Sequence, residues 1–253
     1  MVKFLEALIS FYTILPLRYH NLEYAAEYSY LSPLVVGFTT GSIAGIVCII
    51  LGWILPPCIL AVIALSVLLL LTGFTHVDGL MDVADALMFR GSREERLKIL
   101  HDKYCGSAAV ITVLVVELTS IMSLTILICH SLLSAVIAII IAEVVARIPH
   151  VILAYLGPLP NYHGLGYTFV SRMLGRVDKL VKMFILTLPV VIVLSLLAGI
   201  TPKVILLLVV LLPLTLLYRA VIVRSFGFIT GDILGASIEL FRTVSLITLS
   251  IGL

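Results

Sequence analysis

Long, uninterrupted apolar runs restrict what this sequence can fold into. Each of seven runs has about 18 residues or more, enough to cross roughly 30 Å of hydrocarbon as a helix. They cover residues 31–54, 57–74, 107–129, 131–156, 182–200, 203–220 and 232–252. The alternation of polar and apolar residues that marks a membrane barrel is absent. The sequence therefore predicts an all-α fold, a polytopic membrane helical bundle of about seven transmembrane helices.

The composition supports this class, with 62% hydrophobic and 12% charged residues and a mean hydropathy of +1.25. Soluble domains carry far more charge. No shift in composition and no repeat divides the chain, so residues 1–253 are predicted to form one integral-membrane domain. The first apolar run ends at Leu17 and is too short to span, which indicates an interfacial or re-entrant segment and not a signal peptide. The four cysteines lack CxxC spacing and are predicted to be free thiols.

The positive charges lie in a few segments, and the net charge is only +2. Lys and Arg concentrate near the N-terminus and in residues 75–106, 157–182 and 218–231. Because short loops rich in Lys and Arg stay in the cytoplasm, the N-terminus and these loops are predicted to be cytoplasmic in a multi-pass protein of the cell membrane. This one-sided arrangement is typical of an enzyme that takes a soluble substrate from the cytoplasm.

Three aspartates follow the second apolar run, in the stretch LLTGFTHVDGLMDVADALMFRG. Asp78, Asp82 and Asp85 are spaced by four and then three residues, which places them on one face of a helix. Like charges at this spacing repel one another unless a cation lies between them, and Mg²⁺ binds a few carboxylates together with water and phosphate oxygens. Gly79 leaves room for a phosphate or a backbone. The stretch predicts a Mg²⁺ site, with a solvated helix face as the alternative.

The next stretch, GSREERLKILHDKYCG, predicts a short amphipathic helix on the membrane surface. Ser92 and Glu95 have the spacing of a capping box. The predicted apolar face carries Leu97, Leu100 and Tyr104. The basic residues of this helix bind either anionic lipid head groups or a nucleotide phosphate. Asp102 follows the helix and is a candidate to join the metal site.

Charged and titratable residues also occur inside three predicted spans. They are Glu117, to which the sequence assigns no role, in the third span, Glu143, Arg147 and His150 in the fourth, and Glu239 and Arg242 in the seventh. A charge at membrane depth costs several kcal/mol unless it is paired or faces a wet cavity. Either Glu143 pairs with Arg147 and Glu239 with Arg242, or these residues face a functional cavity. Asp232, seven residues before Glu239 on the same face, favours the second interpretation for Glu239.

The segment GPLPNYHGLGYTF, residues 157–169, is rich in turn-forming and aromatic residues. A flexible Gly-Leu-Gly element beside Asn161, Tyr162 and His163 is able to cover a substrate, although a plain connecting loop has the same composition.

Taken together, these motifs resemble the cobalamin synthase family, the adenosylcobinamide-GDP ribazoletransferases. The resemblance runs nearly end to end. The segment with His-x-Asp-Gly-x-x-Asp-x-x-Asp spacing and the segment TGDILGASIEL are the most specific parts. The full set is LSPLVVGFTTG (31–41), LTGFTHVDGLMDVADAL (71–87), the basic helix 93–102, GLGYTF (164–169) and TGDILGASIEL (230–240).

The resemblance implies a Mg²⁺-dependent transfer of cobinamide phosphate from adenosylcobinamide-GDP to α-ribazole or its 5′-phosphate, with release of GMP. It implies that Asp78, Asp82 and Asp85 bind the metal and the diphosphate. One of these or Asp102 accepts the proton of the attacking hydroxyl, and the choice stays open. Further substrate contacts are expected at His76, Gly79, Lys103, Arg147, Gly164, Gly166, Asp232 and Glu239. The expected partners are these small molecules and the lipid bilayer, without nucleic acid, and the oligomeric state is left open.

Two other functions compete with this interpretation. A membrane CDP-alcohol phosphotransferase has Asp-x-x-Asp-Gly-x-x-Ala-Arg, whereas Val83 follows Asp82 here and no Ala-Arg pair occurs in this segment. A divalent-cation transporter needs access from both faces and acidic residues near the middle of the bilayer. The aspartates of this sequence instead cluster at one side.

Overall fold

The computed structural model describes residues 2–17, 20–102 and 104–253, and within these ranges the chain is helical without strands. A 3₁₀ turn at Ser29–Leu31 and a π turn at Pro33–Gly37 lead into the third α-helix. The α-helices are α1 (Val2–Tyr12), α2 (Leu22–Glu27), α3 (Phe38–Leu51), α4 (Pro57–Leu71), α5 (Thr75–Met88), α6 (Arg93–Leu100), α7 (Ser107–His130), α8 (Leu132–Leu156), α9 (Leu165–Met173), α10 (Val177–Ala198), α11 (Thr201–Phe226) and α12 (Gly231–Ser250).

Six helical segments of the described chain are long and apolar enough to cross a membrane by themselves. They are the segment Pro33–Leu51, which includes α3, and helices α7, α8, α10, α11 and α12. A seventh span exists only if α4 and α5 are counted as one span that bends by 91°. The predicted polytopic helical bundle is confirmed. The short N-terminal run forms α1, whose 11 residues are too few to span.

The second predicted span, residues 57–74, ends earlier than its hydrophobicity indicates. Helix α4 stops at Leu71, and Gly73 and Phe74 then adopt left-handed backbone angles, with φ of +59° and +61°. Residues in this conformation end a right-handed helix. The chain therefore turns sharply before α5, and the aspartates of α5 run across the end of α4 and do not continue along its axis.

Helices α8 and α12 form the centre of the bundle. In the most apolar stretch of each span, the buried share is 89% in α8 and 78% in α12, whereas it is 22% to 39% in the other spans that cross by themselves. A helix that is apolar all around is suited to such an enclosed position. Helix α12 contacts α8, α5 and α7, while α8 also contacts α3. These two helices therefore connect the aspartate helix α5 to the rest of the molecule.

A glycine stripe brings the first span against α8. A Cβ atom on Gly37 would lie 2.6 Å from the Glu143 carbonyl oxygen, and one on Gly41 would lie 2.7 Å from the Ile140 Cα. Small residues at a spacing of four allow membrane helices to approach this closely. The contact places Thr40 beside the buried charges of α8.

The region after the aspartates confirms one prediction from the sequence and contradicts another. The capping box is confirmed, since the Ser92 hydroxyl accepts from the Glu95 backbone N–H and the Glu95 carboxylate accepts from the Ser92 backbone N–H. Tyr104 was wrongly predicted on the apolar face of this helix. Helix α6 ends at Leu100, and Tyr104 lies beyond it with 87% of its surface exposed. All four cysteines are free, as predicted.

Candidate active site

A cavity of about 310 Å³ lies where helices α1, α5, α8, α9 and α12 meet. Its wall contains three of the residues predicted from the sequence, His76, Asp78 and Asp232. The complete lining is Phe11, Tyr12, Thr75, His76, Asp78, His150, Leu165, Phe169, Gly231, Asp232, Leu234 and Gly235. The cavity thus combines carboxylates with buried aromatic rings.

The carboxylates around Asp82 form a strongly negative group. Asp82 is half-buried one helical turn after Asp78, and the charges that act on its carboxyl come from Asp78, Asp232 and Asp85. Like charges this close to one another are costly without a cation. The aspartate from α12 joins those of α5 because the two helices are packed together.

The donor set fits Mg²⁺ under one condition. Among the described residues, no three His, Cys, Asp or Glu side chains are placed to hold a metal by themselves. Mg²⁺ does not need such a cage, because it commonly uses one or two carboxylates and completes its shell with water and substrate phosphates. The set around Asp82 therefore suits an ion that arrives with a phosphate-bearing ligand.

Asp85 has a structural partner that its sequence spacing did not reveal. Its carboxylate accepts hydrogen bonds from the backbone N–H groups of Gly106 at 2.5 Å and Ala109 at 2.8 Å. Gly106 is the N-cap residue of α7 and Ala109 lies in its first turn, where N–H groups lack partners within the helix. Asp85 thereby caps α7. Its predicted role in metal binding is less well supported by the geometry than those of Asp78 and Asp82.

Asp102 lies on the exposed loop after α6. Its carboxylate accepts from the Tyr104 backbone N–H at 3.3 Å, and it is not part of the cavity wall. Lys103, which the resemblance places at a phosphate, lies outside the described residues.

Two of the three predicted glycines, Gly79 and Gly166, serve close packing. A Cβ atom on Gly79 would lie 2.7 Å from the Asp232 carbonyl oxygen, so it is a backbone that comes close to this glycine. A Cβ atom on Gly166 would lie 2.7 Å from the Thr230 Cα. Gly164 is exposed, and a Cβ atom there would meet only the Tyr162 ring, at 3.6 Å. Gly79 and Gly166 therefore hold α5 and α9 against the start of α12.

Four buried charged residues form one network between α8 and α12. The Glu143 carboxylate accepts hydrogen bonds from Arg147 at 2.7 Å, Arg242 at 2.5 Å and the Thr40 hydroxyl at 2.8 Å. Arg242 also donates to Glu239. Each of the four charged side chains is at most 1% exposed. The pairing within each helix, one of the two interpretations that the sequence left open, is observed, and the Arg242–Glu143 pair adds a link between the helices. The sequence had favoured a cavity-facing Glu239, whereas this side chain is paired with Arg242 and is not part of the cavity wall.

The network reaches the cavity through His76. The His76 Nδ1 lies 3.7 Å from the Glu239 Oε1, and the His76 ring is part of the cavity wall. Arg147 and Glu239 are buried behind this wall and do not line the cavity. Within the described residues, the Arg147 Nε and Nη2 atoms and the Glu239 Oε1 atom have no hydrogen-bond partner. The network therefore supports the wall and keeps polar atoms free close to it.

Two residues of connecting loops lie close to Asp232. The Tyr162 hydroxyl is 3.3 Å from the His101 Nε2, and both side chains lie within electrostatic range of Asp232. Partial burial and the negative charge of Asp232 raise the pKa of Tyr162. The sequence had indicated the Tyr162 loop as a possible cover, whereas His101 had no signal of its own.

Sequence reasoning missed most of the aromatic lining. Phe11, Tyr12 and Phe169 line the cavity together with His150, and the Tyr12 hydroxyl is 2.9 Å from the His150 Nε2. The available signals were the N-terminal apolar run, which is too short to span and contains Phe11 and Tyr12, and the segment GLGYTF, which ends at Phe169.

The fold and the cavity together define a polytopic integral-membrane protein with a cavity that is partly lined by carboxylates and supported by buried ion pairs. The chain belongs to the cobalamin-5-phosphate synthase family, whose family model matches residues 4–250. This result confirms the resemblance inferred from the motifs.

Relatives from archaea and bacteria match along almost the whole chain. An adenosylcobinamide-GDP ribazoletransferase of Saccharolobus islandicus is 34% identical over 98% of this chain and 90% of its own length. Proteins of the same name from Sulfolobus acidocaldarius and Clostridioides difficile are 32% and 26% identical over 95% of this chain, and cover 88% and 94% of their own lengths. No solved structure matches the chain.

Proposed function

We propose that this protein transfers the cobinamide phosphate of adenosylcobinamide-GDP to α-ribazole or α-ribazole 5′-phosphate. A ribose hydroxyl oxygen forms a bond to the cobinamide phosphorus, the bond from that phosphorus to the GMP phosphate breaks, and the hydroxyl proton is lost. The products are adenosylcobalamin or its 5′-phosphate, GMP and a proton. The observation that carries the proposal is the end-to-end family match, with the family's aspartate segment beside the cavity.

Asp78 and Asp82, with Asp232 from the facing helix, are the residues that would hold Mg²⁺ together with the diphosphate. When bound, Mg²⁺ supplies neutralisation of the charge that develops on the diphosphate and on the departing GMP. The protein contributes position, because the close contact of Gly79 with the Asp232 backbone fixes α5 against α12. Phosphoryl transfer depends mainly on such positioning and on charge stabilisation.

The acceptor of the hydroxyl proton is one of the carboxylates in or next to the cavity wall. Asp78 lines the cavity and Asp82 lies one turn away, whereas Asp102 is exposed on a separate loop. A general base must come within hydrogen-bond reach of the proton that it takes. This requirement favours Asp78 or Asp82 over Asp102 in the proposed mechanism.

The proposed location is the cell membrane, with the N-terminus and the cavity on the cytoplasmic side. The concentration of Lys and Arg in the segments next to α5, α9 and α12 supports this orientation.

The test is GMP release by detergent-purified protein supplied with adenosylcobinamide-GDP, α-ribazole and Mg²⁺. The wild type is expected to release GMP. The rate of GMP release by Asp82→Asn is expected to be at least about 100-fold lower, because a charge in the diphosphate site is removed. Asp102→Asn is the matched control and retains most of the rate. The proposal fails if the wild type releases no GMP, and CDP-alcohol consumption or cation flux into vesicles would then identify a competing function.

A further inference from the structure

We propose that the aromatic part of the cavity binds the benzimidazole base of the acceptor nucleoside, while the ribose is directed to Asp78 and Asp232. The inference rests on the proposed function and specifies where one of its two substrates binds. We call Phe11, Tyr12, His150 and Phe169 the aromatic wall. Its ligand class is a flat bicyclic aromatic base with few polar groups.

The aromatic wall is one connected group of rings from three helices. The ring centroids of Phe11 and Phe169 are 4.9 Å apart, those of Tyr12 and His150 are 5.7 Å apart, and those of His150 and Phe169 are 6.3 Å apart. Such distances are typical of interacting aromatic pairs, and a further ring can add to the group by stacking or edge contact. The wall therefore offers a surface for another planar ring.

The polar atoms of the aromatic wall are already engaged. The His150 Nε2 is 2.9 Å from the Tyr12 hydroxyl, and the His150 Nδ1 is 3.3 Å from the Leu234 carbonyl oxygen. A base such as guanine, whose edge carries several donors and acceptors, would leave these groups without partners against this wall, which is costly. A benzimidazole has far fewer polar atoms. The wall therefore favours the base of the acceptor over the base of GDP.

The rest of the cavity lining has the opposite character. Asp78 and Asp232 line the same space, and their negative charges act on each other. A nucleoside has a matching division into an aromatic base and a hydroxylated sugar. With the base on the aromatic wall, the ribose hydroxyls are brought to the carboxylates, where the proposed transfer takes place.

The cavity volume supports a nucleoside as the occupant. Its volume of about 310 Å³ is at the lower end of the range of about 300–1,000 Å³ that is common for small-molecule sites. A corrinoid ring system is much larger than a nucleoside and does not fit into this space. Ordinary core packing of the rings would leave few voids larger than a water molecule. A cavity of this size beside buried rings therefore indicates a ligand.

The test measures the binding of α-ribazole alone to the full-length protein in detergent, by calorimetric titration. Phe11→Leu and Phe169→Leu remove an aromatic face and keep most of the side-chain volume. Each variant is expected to raise the Kd of α-ribazole by about threefold to tenfold, the range for loss of one aromatic contact. Phe4→Leu is the matched control on α1, because Phe4 packs against Tyr28 and does not line the cavity. It leaves the Kd unchanged.

The donor side of the reaction provides the second measurement. Titration with GMP is expected to give the same Kd for the wild type and both variants, and free 5,6-dimethylbenzimidazole is expected to compete with α-ribazole. The inference is overturned if the variants weaken GMP binding and not α-ribazole binding, or if they change neither. Phe11 is only half-buried, so Phe11→Leu and the competition experiment remain decisive if Phe169→Leu does not fold.

The proposed reaction and the proposed subsite for the base would be contradicted by different results. If the wild type binds α-ribazole tightly and the two variants weaken this binding, but no GMP is released, the proposed reaction is wrong and the subsite stands. If GMP is released by the wild type but α-ribazole binding does not respond to the variants, only the subsite is wrong.

Discussion

Neutralising Glu143 should destabilise the whole bundle, because this residue connects α8, α12 and α3. In Glu143→Gln the side-chain shape is kept, but Arg147 and Arg242 lose the carboxylate that both contact in a fully buried position. Removing one partner of a buried ion pair costs about 3–5 kcal/mol, since the remaining charge is left without compensation. The new amide group also directs N–H groups towards guanidinium groups that are themselves donors. We expect the free energy of unfolding to fall by about 3–5 kcal/mol.

The assay is reversible unfolding by SDS in mixed micelles, followed by far-ultraviolet circular dichroism. Asp178→Asn is the control, because Asp178 pairs with Arg176 and Lys182 on the exposed start of α10, where solvent and salt weaken the interaction. The control should unfold almost like the wild type. If Glu143→Gln were as stable as this control, the network would not hold the helices together and the reasoning would be refuted.

Three further changes test the packing, the cap and the metal. Gly79→Ala places a Cβ atom against the Asp232 backbone and should lower the free energy of unfolding by about 1–3 kcal/mol, as expected for overpacking. Gly164→Ala should leave the free energy of unfolding unchanged, and equal effects of the two changes would contradict the close contact at Gly79. Asp85→Ala removes the cap of α7 and should cost about 0.5–2 kcal/mol in the same unfolding assay, with the exposed Asp102→Ala as its near-neutral control. EDTA should abolish GMP release and added Mg²⁺ should restore it, because the carboxylates around Asp82 repel the diphosphate without a cation. GMP release that continues in the presence of EDTA would contradict a role for Mg²⁺ in the mechanism.

Local patterns in the sequence predicted several parts of the structure correctly. Six of the seven apolar runs correspond to described helical segments that are long enough to span, and the spacing of Glu143 with Arg147 and of Glu239 with Arg242 indicated the pairs within their helices as one of two interpretations. The capping box at Ser92 was also predicted. Each of these features depends on residues that are near one another in the chain, so helical geometry alone relates them.

Other parts of the site required the tertiary structure. The turn at Gly73 and Phe74 interrupts an apolar run that continues to Phe74, so hydrophobicity gave no sign of it. The bonds of Asp85 to the first turn of α7 connect residues more than twenty positions apart, and helical spacing therefore could not distinguish this aspartate from Asp78 and Asp82.

The sequence by itself determined that the chain is a membrane bundle, that it has an acidic segment at the end of a span, and which family it resembles. Hydrophobicity and helical spacing are properties of neighbouring residues, and they are sufficient for these conclusions. The tertiary structure decided which carboxylates share a cavity and which aromatic rings form its wall. A cavity is the space left between helices from distant parts of the chain, so its lining follows from their packing and not from any one segment.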